Sequence, residues 1–469
     1  MEGGGPVSGL TPGEWELVGQ LEKQIRAKRQ RNELRSAYMD GKHLVRRLPP
    51  SSPPYLQHLG VVLGWPAKAV ETLARRVRLD GFDGGTALGV DDLLADNDYF
   101  AMSAQAQVSA LVHGTVFATV TKGGAGEPAA VVSHVTAING TGEWDTRARE
   151  FKNFLAVNRW PKAGATLAQD GDFTLFLDHE VVSVVDGRVA GRVWSPVRLP
   201  VAQMPYKPRL DRPFGASRIS RPVMSITDSA VRTIIRSEGT ADFYGVPWFM
   251  IFGPDESSFS KGGWQMIMDR INAIPDNEEA ANPRAEVKQF TQGNQQPHVE
   301  QLQVLAGLFA GETSIPVSSL GVGLSQANPT SAESYLASRE DLIAEADDAQ
   351  ACWTSPHARV ARWLWRVAHP GEGVPGELGA VRPVWHDTRY TSRAAAADAT
   401  VKLVGAFPWM AQSDTVIGTL GFDAATTARL LADKQRDAGV SIFAGLMQQE
   451  AEGDGGVSGG GSAGTGSEA

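Results

Sequence analysis

Apolar and polar positions change their spacing several times along this chain, and each change marks a different element. Leu10 to Asp40 reads as one helix, with Thr11 and Glu14 forming a capping-box pattern around Pro12 at the first helical position. The proline-rich stretch Pro49 to Pro54 is an extended linker, and a short helix is expected from Pro66 to about Val77. Asp91 to Val112 is predicted as a further helix. Beyond Gly114 the pattern becomes strand-like at Thr115–Thr121, Ala130–Ile138, Phe173–Leu177, Val181–Val185 and Val189–Val193, divided by Gly- and Asp-rich turns. Helices followed by such a run predict an α+β domain with an antiparallel sheet.

Met204 to Arg212 is a proline-punctuated crossing. Ser217 to Tyr244 then reads as a helix beyond Pro222, with Ile226, Ala230, Val231, Ile234 and Ile235 apolar and Arg232 and Arg236 among them. Val246–Gly253 and Glu286–Thr291 read as strands, Trp264–Ile274 fits strand or helix, and Val299–Ala310 is another apolar-striped helix. Helix, small β insertion and returning helix make a hairpin-like excursion from the body. A loop follows, rich in Ser and Gly but carrying Ile315, Val317, Leu320, Val322 and Leu324. It feeds a long helix whose start signals are Asn328 as N-cap and Pro329 at the first position, with Thr330 and Glu333 as a competing capping box. Leu342, Ile343, Ala346, Ala349 and Trp353 place one apolar stripe on it. Pro356 is expected to kink or restart this helix before Val360–Val367. Helical pieces follow at Ala394–Val404, Ser413–Leu420 and Ala424–Ala438, and the tail from Gly453 is too polar and Gly-rich to order itself.

Composition narrows the function. The 469 residues, 42% hydrophobic and 21% charged, can bury a sizeable core, and no apolar run reaches a membrane span. One cysteine, Cys352, excludes a disulfide framework and a cysteine-rich zinc site. A net charge of −9 argues against a DNA-coating protein, though not against one that surrounds DNA without gripping it. Locally the balance reverses: between Lys23 and Arg47 cations outnumber acids, either as a solvated helix face or as a contact with DNA or an acidic partner.

Five further motifs join the loop-and-helix stretch: Y-M-D-G-K (Tyr38–Lys42), V-V-L-G-W-P (Val61–Pro66), A-K-A-V-E-T-L-A (Ala67–Ala74), L-V-H-G-T-V-F-A (Leu111–Ala118) and P-F-G-A-S-R-I (Pro213–Ile219). In this order, from Tyr38 to Gly439, the chain resembles the portal proteins of long-tailed phages that infect actinobacteria. The resemblance implies a wing over 1–212, a stem helix over 213–245, a clip over 246–296 and a second stem helix over 297–312. A tunnel loop over 313–328, a central wing helix over 329–389, a helical crown over 390–452 and a disordered tail over 453–469 complete it. It also implies a ring of about twelve copies at one capsid vertex of the virion, assembled in the host cytoplasm, with double-stranded DNA passing through without sequence readout. Further expected partners are the terminase large subunit, a head-completion adaptor, and the major capsid and scaffold proteins. No membrane and no cofactor are expected. The tunnel loop would present Ser314, Ile315, Val317, Ser318, Ser319, Leu320, Val322, Leu324, Ser325 and Gln326 to DNA. Arg232 and Arg236 would be stem contacts; Asp276, Glu278, Glu279 and Arg284 would meet motor or adaptor at the clip. Gly123 to Trp160 matches no motif of that family.

Catalytic signatures are mostly missing. The chain has no phosphate-binding G-x-x-x-x-G-K-[ST], no G-x-S-x-G and no H-E-x-x-H, and its nine histidines lack metal-ligand spacing. One enzymatic alternative stands. Pro275-Asp276 followed by Glu286-Val287-Lys288 matches the P-D…[DE]-x-K pattern of Mg²⁺-dependent nucleases, in which two carboxylates hold the metal and a lysine assists the attacking water. Asp341, Glu345 and Asp348 share one flank of the long helix and read as a solvated or channel-facing acidic stripe. Trp353, Trp363 and Trp365 read as packing anchors.

Overall fold

The computed structural model describes residues 9–45, 56, 59–244, 249–252, 286–289, 294–322, 339–389 and 393–413, with short pieces at 416, 426 and 429–437. It forms two units, 1–386 and 387–469. The first begins with α1 (Pro12–Met39), α2 (Trp65–Ala74), β1 (Leu79–Asp83), α3 (Val90–Ala95) and α4 (Tyr99–His113). Eight strands follow around a one-turn α5 (Leu167–Asp170). These are β2 (Thr115–Lys122), β3 (Ala130–Thr136), β4 (Gly140–Asp145), β5 (Glu150–Arg159), β6 (Asp172–Leu177), β7 (Glu180–Val185), β8 (Arg188–Trp194) and β9 (Val201–Pro205). Then come α6 (Arg221–Tyr244), β10 (Phe249–Phe252), β11 (Glu286–Gln289), α7 (Gln296–Thr313), α8 (Glu340–Ala368) and β12 (Arg382–Trp385). The second unit contains α9 (Arg393–Ala406) and helical residues 429–437.

The mixed α and β architecture with antiparallel sheets is the one the sequence patterns predict. Strands β4 to β8 form a five-stranded meander, and β3-β2-β9 a three-stranded sheet. The meander is buried on both faces. Leu155, Val157, Phe173, Leu175, Val182 and Val184 pack under Val18, Leu21 and Ile25 of α1. Phe151, Phe154, Ala156 and Phe176 point the other way, onto Phe117 and Val201 of the smaller sheet. Strand periodicity of two thus sorts alternate side chains into two cores. A third and larger core joins α2, α4, β2, β9, α6, α7 and α8 around Trp353, Tyr99 and Tyr206.

The capping box at α1 forms as expected, with Glu14 N–H donating to Thr11 Oγ1 and Thr11 N–H to the Glu14 carboxylate. Part of its basic run is packed against aromatic rings and paired with acids, and is not a bare solvated face. Arg26 and Arg29 lie 5.2 and 4.4 Å from the Trp160 ring and also pair with Glu22 and Glu33. Lys28 lies 5.2 Å from the Phe214 ring, and Arg35 Nη1 donates to the His113 carbonyl at 3.3 Å.

Two helix expectations need correction. The expected helix from Asp91 to Val112 is two helices, α3 and α4, because Asp98 turns left-handed at φ 46°. Asn97, beside it, leaves the helical pattern to donate to the Ala130 carbonyl and accept from Val132 N–H, pinning the break to β3. Pro356 does not restart the long helix: α8 runs unbroken across it, since Trp353, His357, Val360 and Leu364 are buried on both sides. Packing there outweighs the one lost hydrogen bond. Its expected start, Asn328 to Glu333, lies outside the described residues.

Candidate functional site

Helices α6 and α7 run antiparallel, as their side-chain pairs show. Ser220 at the start of α6 donates to Glu312 near the end of α7 at 2.9 Å. Ser237 near the end of α6 donates to Gln295 at the start of α7, also at 2.9 Å, and Thr240 pairs with His298 at 3.0 Å. Strands β10 and β11, which lie between the two helices in sequence, pair antiparallel with Phe252 opposite Glu286. Helix, β pair and returning helix are thus present as expected.

Where α7 ends, residues 314–322 fold back onto the core despite their Ser and Gly content. Ser314 adopts φ 54°, and residues Val317–Leu320 form a 3-10 turn closed by Gly321 at φ 74°. Ile315 and Leu320 are buried, and Val317 and Val322 pack against the same core. Trp65 clamps the turn: its indole N–H donates to the Leu320 carbonyl at 3.3 Å, and its ring lies 5.3 Å from Phe309 of α7. Ile315 and Leu320, expected on the exposed loop, are therefore core residues, held there by the hydrophobic effect acting on a short turn. Ser318 is exposed and Ser314 and Ser319 are half-buried. Leu324, Ser325 and Gln326 lie outside the described residues.

Beneath this turn sits a buried polar hub that motif reasoning missed. Arg218, only 3% exposed at its side chain, reaches three helices and the segment after β9. Its Nε donates to the Ala69 carbonyl of α2 at 2.8 Å and its Nη2 to the Thr313 carbonyl of α7 at 2.6 Å. Nη1 donates to Tyr206 Oη at 3.0 Å and pairs with the Glu345 carboxylate of α8. Tyr206 also donates to Glu345, and Lys207 Nζ closes the cluster on the same carboxylate. The guanidinium therefore sits at the C-terminus of α7, where free carbonyls and the helix dipole favour a cation. Burial pushes the Glu345 carboxyl up, but the Arg218 charge and the bonds from Arg218, Lys207 and Tyr206 prevail and hold it below the usual carboxylate range. Tyr206 is pushed up, chiefly by burial.

Gly215 makes the approach possible. Its φ is 69°, and a Cβ there would come within 2.3 Å of the Tyr206 carbonyl oxygen and 2.5 Å of that of Gly114. Glu345 was expected on a solvated acidic stripe and is instead the buried anion of the hub; Asp341 and Asp348 are exposed. Its position three residues after Leu342 and four before Ala349 was the signal, because it puts Glu345 inside the apolar stripe. Arg218 was within reach as the one charged residue of P-F-G-A-S-R-I.

Of the other expected contacts, Arg232 is half-buried and donates to Ser229 Oγ at 2.9 Å, while Arg236 is exposed. Asp276, Glu278, Glu279 and Arg284 lie outside the described residues. So does Asp276 as a nuclease carboxylate, whereas Glu286 and Lys288 lie on β11. Among the described residues no group of three or more His, Cys, Asp or Glu is placed to hold a metal ion, and no helix is long and apolar enough to cross a membrane. Trp353 is fully buried and donates to the Pro205 carbonyl at 2.8 Å, so it is a packing anchor, and Trp365 is buried with it. Burial raises the pKa of the half-buried Cys352 thiol, which fits packing and not reactivity.

The portal protein of Mycobacterium phage L5 is 26% identical over 391 residues, which cover 79% of this chain and 78% of that protein. The chain is similar to a portal protein of an actinobacteriophage over most of its length. The portal protein of Mycobacterium phage D29 is 30% identical over 213 residues, 44% of this chain and 42% of that one. Among solved structures, a chain from the neck of a native gene transfer agent particle is 14% identical with a TM-score of 0.44, covering 83% of this chain and 98% of that one. No family model matches the sequence. In this chain the hub joins the segment carrying P-F-G-A-S-R-I to the end of the helix that leads into the expected tunnel loop.

Proposed function

We propose that this chain is a portal subunit, one copy in a closed ring at a single capsid vertex through which double-stranded DNA enters and leaves. The similarity to the phage L5 portal protein across 79% of the chain carries this reading, and it favours a portal over a nuclease. The antiparallel α6 and α7 would be the two stem helices and the β10–β11 pair the base of the clip. Ser318 and Ser319, on the open side of the clamped turn, together with Leu324, Ser325 and Gln326, would be the part of the tunnel loop that meets DNA. Ile315 and Leu320 would anchor it. Arg232 and Arg236 would act along the stem. Asp276, Glu278, Glu279 and Arg284 would meet the terminase large subunit or the head-completion adaptor.

In this reading the ring is a passive conduit and docking hub, and ATP hydrolysis belongs to the motor that binds the clip. Its uncharged loop touches the duplex without tight phosphate binding. Assembly takes place in the host cytoplasm, with major capsid and scaffold proteins as further partners. The test is native mass spectrometry with negative-stain imaging of the full-length chain. Rings of about twelve copies with a central hole are expected. Monomers that persist on co-expression with capsid and scaffold proteins, and that cleave plasmid DNA with Mg²⁺, would overturn the reading.

A further inference from the structure

In a chain of net charge −9, one surface gathers four cations, and the one acid in the adjoining turn, Asp211, is paired with Arg209. Lys28, Arg31 and Arg35 follow one another along α1, and Arg212 approaches from the turn after β9. Burial and the neighbouring Arg31 lower the pKa of Lys28. Burial, Arg31 and Arg212 together lower that of Arg35 to about 10. Among the described residues no carboxylate pairs with any of the four, and Arg35 Nε is buried without an acceptor. Like charges held this close raise the free energy of the isolated chain, so an anionic neighbour would relieve them.

The same surface carries apolar contacts. The turn between Arg209 and Arg212 is braced by two reciprocal backbone bonds, Arg209 N–H to the Arg212 carbonyl at 3.1 Å and the reverse at 2.9 Å. It holds Leu210 out at 95% exposure, and Leu34 on α1 is 40% exposed beside Arg35 in sequence. A rigid leucine knob framed by cations calls for a partner that is acidic but has small residues between its acids.

The chain itself carries such a face. On α8, Asp341, Ala344, Asp348 and Ala351 are exposed at three- and four-residue spacing, and no cation pairs with either aspartate among the described residues. A closed cyclic ring needs two different, complementary surfaces on every copy.

We infer that the Arg31–Arg212–Leu210 patch of one copy docks on the Asp341–Asp348 face of α8 in the next copy around the ring. This rests on the portal reading, and it names the contact that closes the ring. DNA or another acidic protein would also suit the cations alone, but neither requires the α8 face.

The test reverses each face in the full-length chain: R31E/R212E, D341K/D348K, and the four substitutions combined. All four positions are exposed, and circular dichroism verifies folding. Native mass spectrometry is then read across a concentration series. Each single-face reversal is expected to raise the concentration needed for ring assembly roughly tenfold or more, and the combined variant to recover it. Rings unchanged by either reversal would overturn the inference while leaving the portal reading intact. So would loss of rings with R31E/R212E alone, which would assign the patch to another anion, or failure of the combined variant to recover. Wild-type chain that forms no rings even with its scaffold would instead overturn the portal reading.

Discussion

Replacing Arg218 with methionine removes the centre of the hub while keeping most of its volume. The variant loses hydrogen bonds to the Ala69 and Thr313 carbonyls, at 2.8 and 2.6 Å, and to Tyr206 Oη at 3.0 Å, together with the Glu345 ion pair. The Thr313 carbonyl at the end of α7 then lacks a donor, at about 1–3 kcal/mol, and a buried carboxylate is left to Tyr206 and Lys207. Breaking a buried pair from one side costs about 3–5 kcal/mol, and that range is the expected loss here. Lys207, more than half exposed, is a weak substitute, so Lys207→Ala is expected to cost less than about 1 kcal/mol. Adding Glu345→Gln to Arg218→Met removes the stranded charge. The double variant is then expected to be more stable than the sum of the singles by about 2 kcal/mol or more. Urea unfolding of unassembled chain, followed by tryptophan fluorescence, measures the wild type, the three single variants and the double variant. A loss below about 1 kcal/mol for Arg218→Met, or strict additivity in the cycle, would refute the claim that the hub holds the end of α7.

Two other expectations follow from the same geometry. Gly215→Ala puts a methyl group within 2.3 Å of the Tyr206 carbonyl oxygen at a φ of 69° and is expected to cost about 2 kcal/mol or more. Faster amide exchange at Ala216, whose N–H donates to the Tyr206 carbonyl at 2.7 Å, would locate the damage, and wild-type exchange there would count against the argument. Stability is also expected to fall in mild acid. Burial lowers the pKa of His357 to about 3, with a further push from His134, and lowers that of His134 to about 4; Nδ1 of His357 lies 2.7 Å from Tyr99 Oη. Both are neutral in the fold and ordinary once unfolded, so their contribution is complete above about pH 6.5 and is lost as pH falls towards 4 and 3. The slope is about 1.4 kcal/mol per unit for each histidine. Urea midpoints at pH 7, 6 and 5 should decline in wild type and more gently in His357→Gln; identical slopes would exclude His357 as a source.

Elements that announce themselves locally were legible from sequence. The α1 capping box, the amphipathic α6 and the alternating strands β6 and β7 each satisfy a short-range rule. Strands β4 and β5 escaped because β4 holds Gly140 and Gly142, and β5 is apolar on both faces at Phe154, Leu155, Ala156 and Val157, which erases alternation. Strands β1 and β12 are short and contain Gly81 and Pro383, and each is a strand only because of the other. The loop after α7 was legible in where it starts but not in its burial. Whether Ile315 faces solvent or core depends on Trp65, far away in sequence. The hub failed for the same reason: Arg218, Tyr206 and Glu345 come from three separate segments, and no spacing rule links them.

Pairing of β1 with β12 has a consequence for synthesis. Asp83 waits for Arg382 and Phe82 for Pro383, so the edge near the start of the chain closes only when the translating ribosome has released residue 385. Until then β1 offers an unpaired edge, and α2 and α4 lack the α8 side of their core. The first unit is thereby kept from completing its fold until more than four fifths of the chain has been made, and assembly is expected from nearly finished chains and not from short nascent ones.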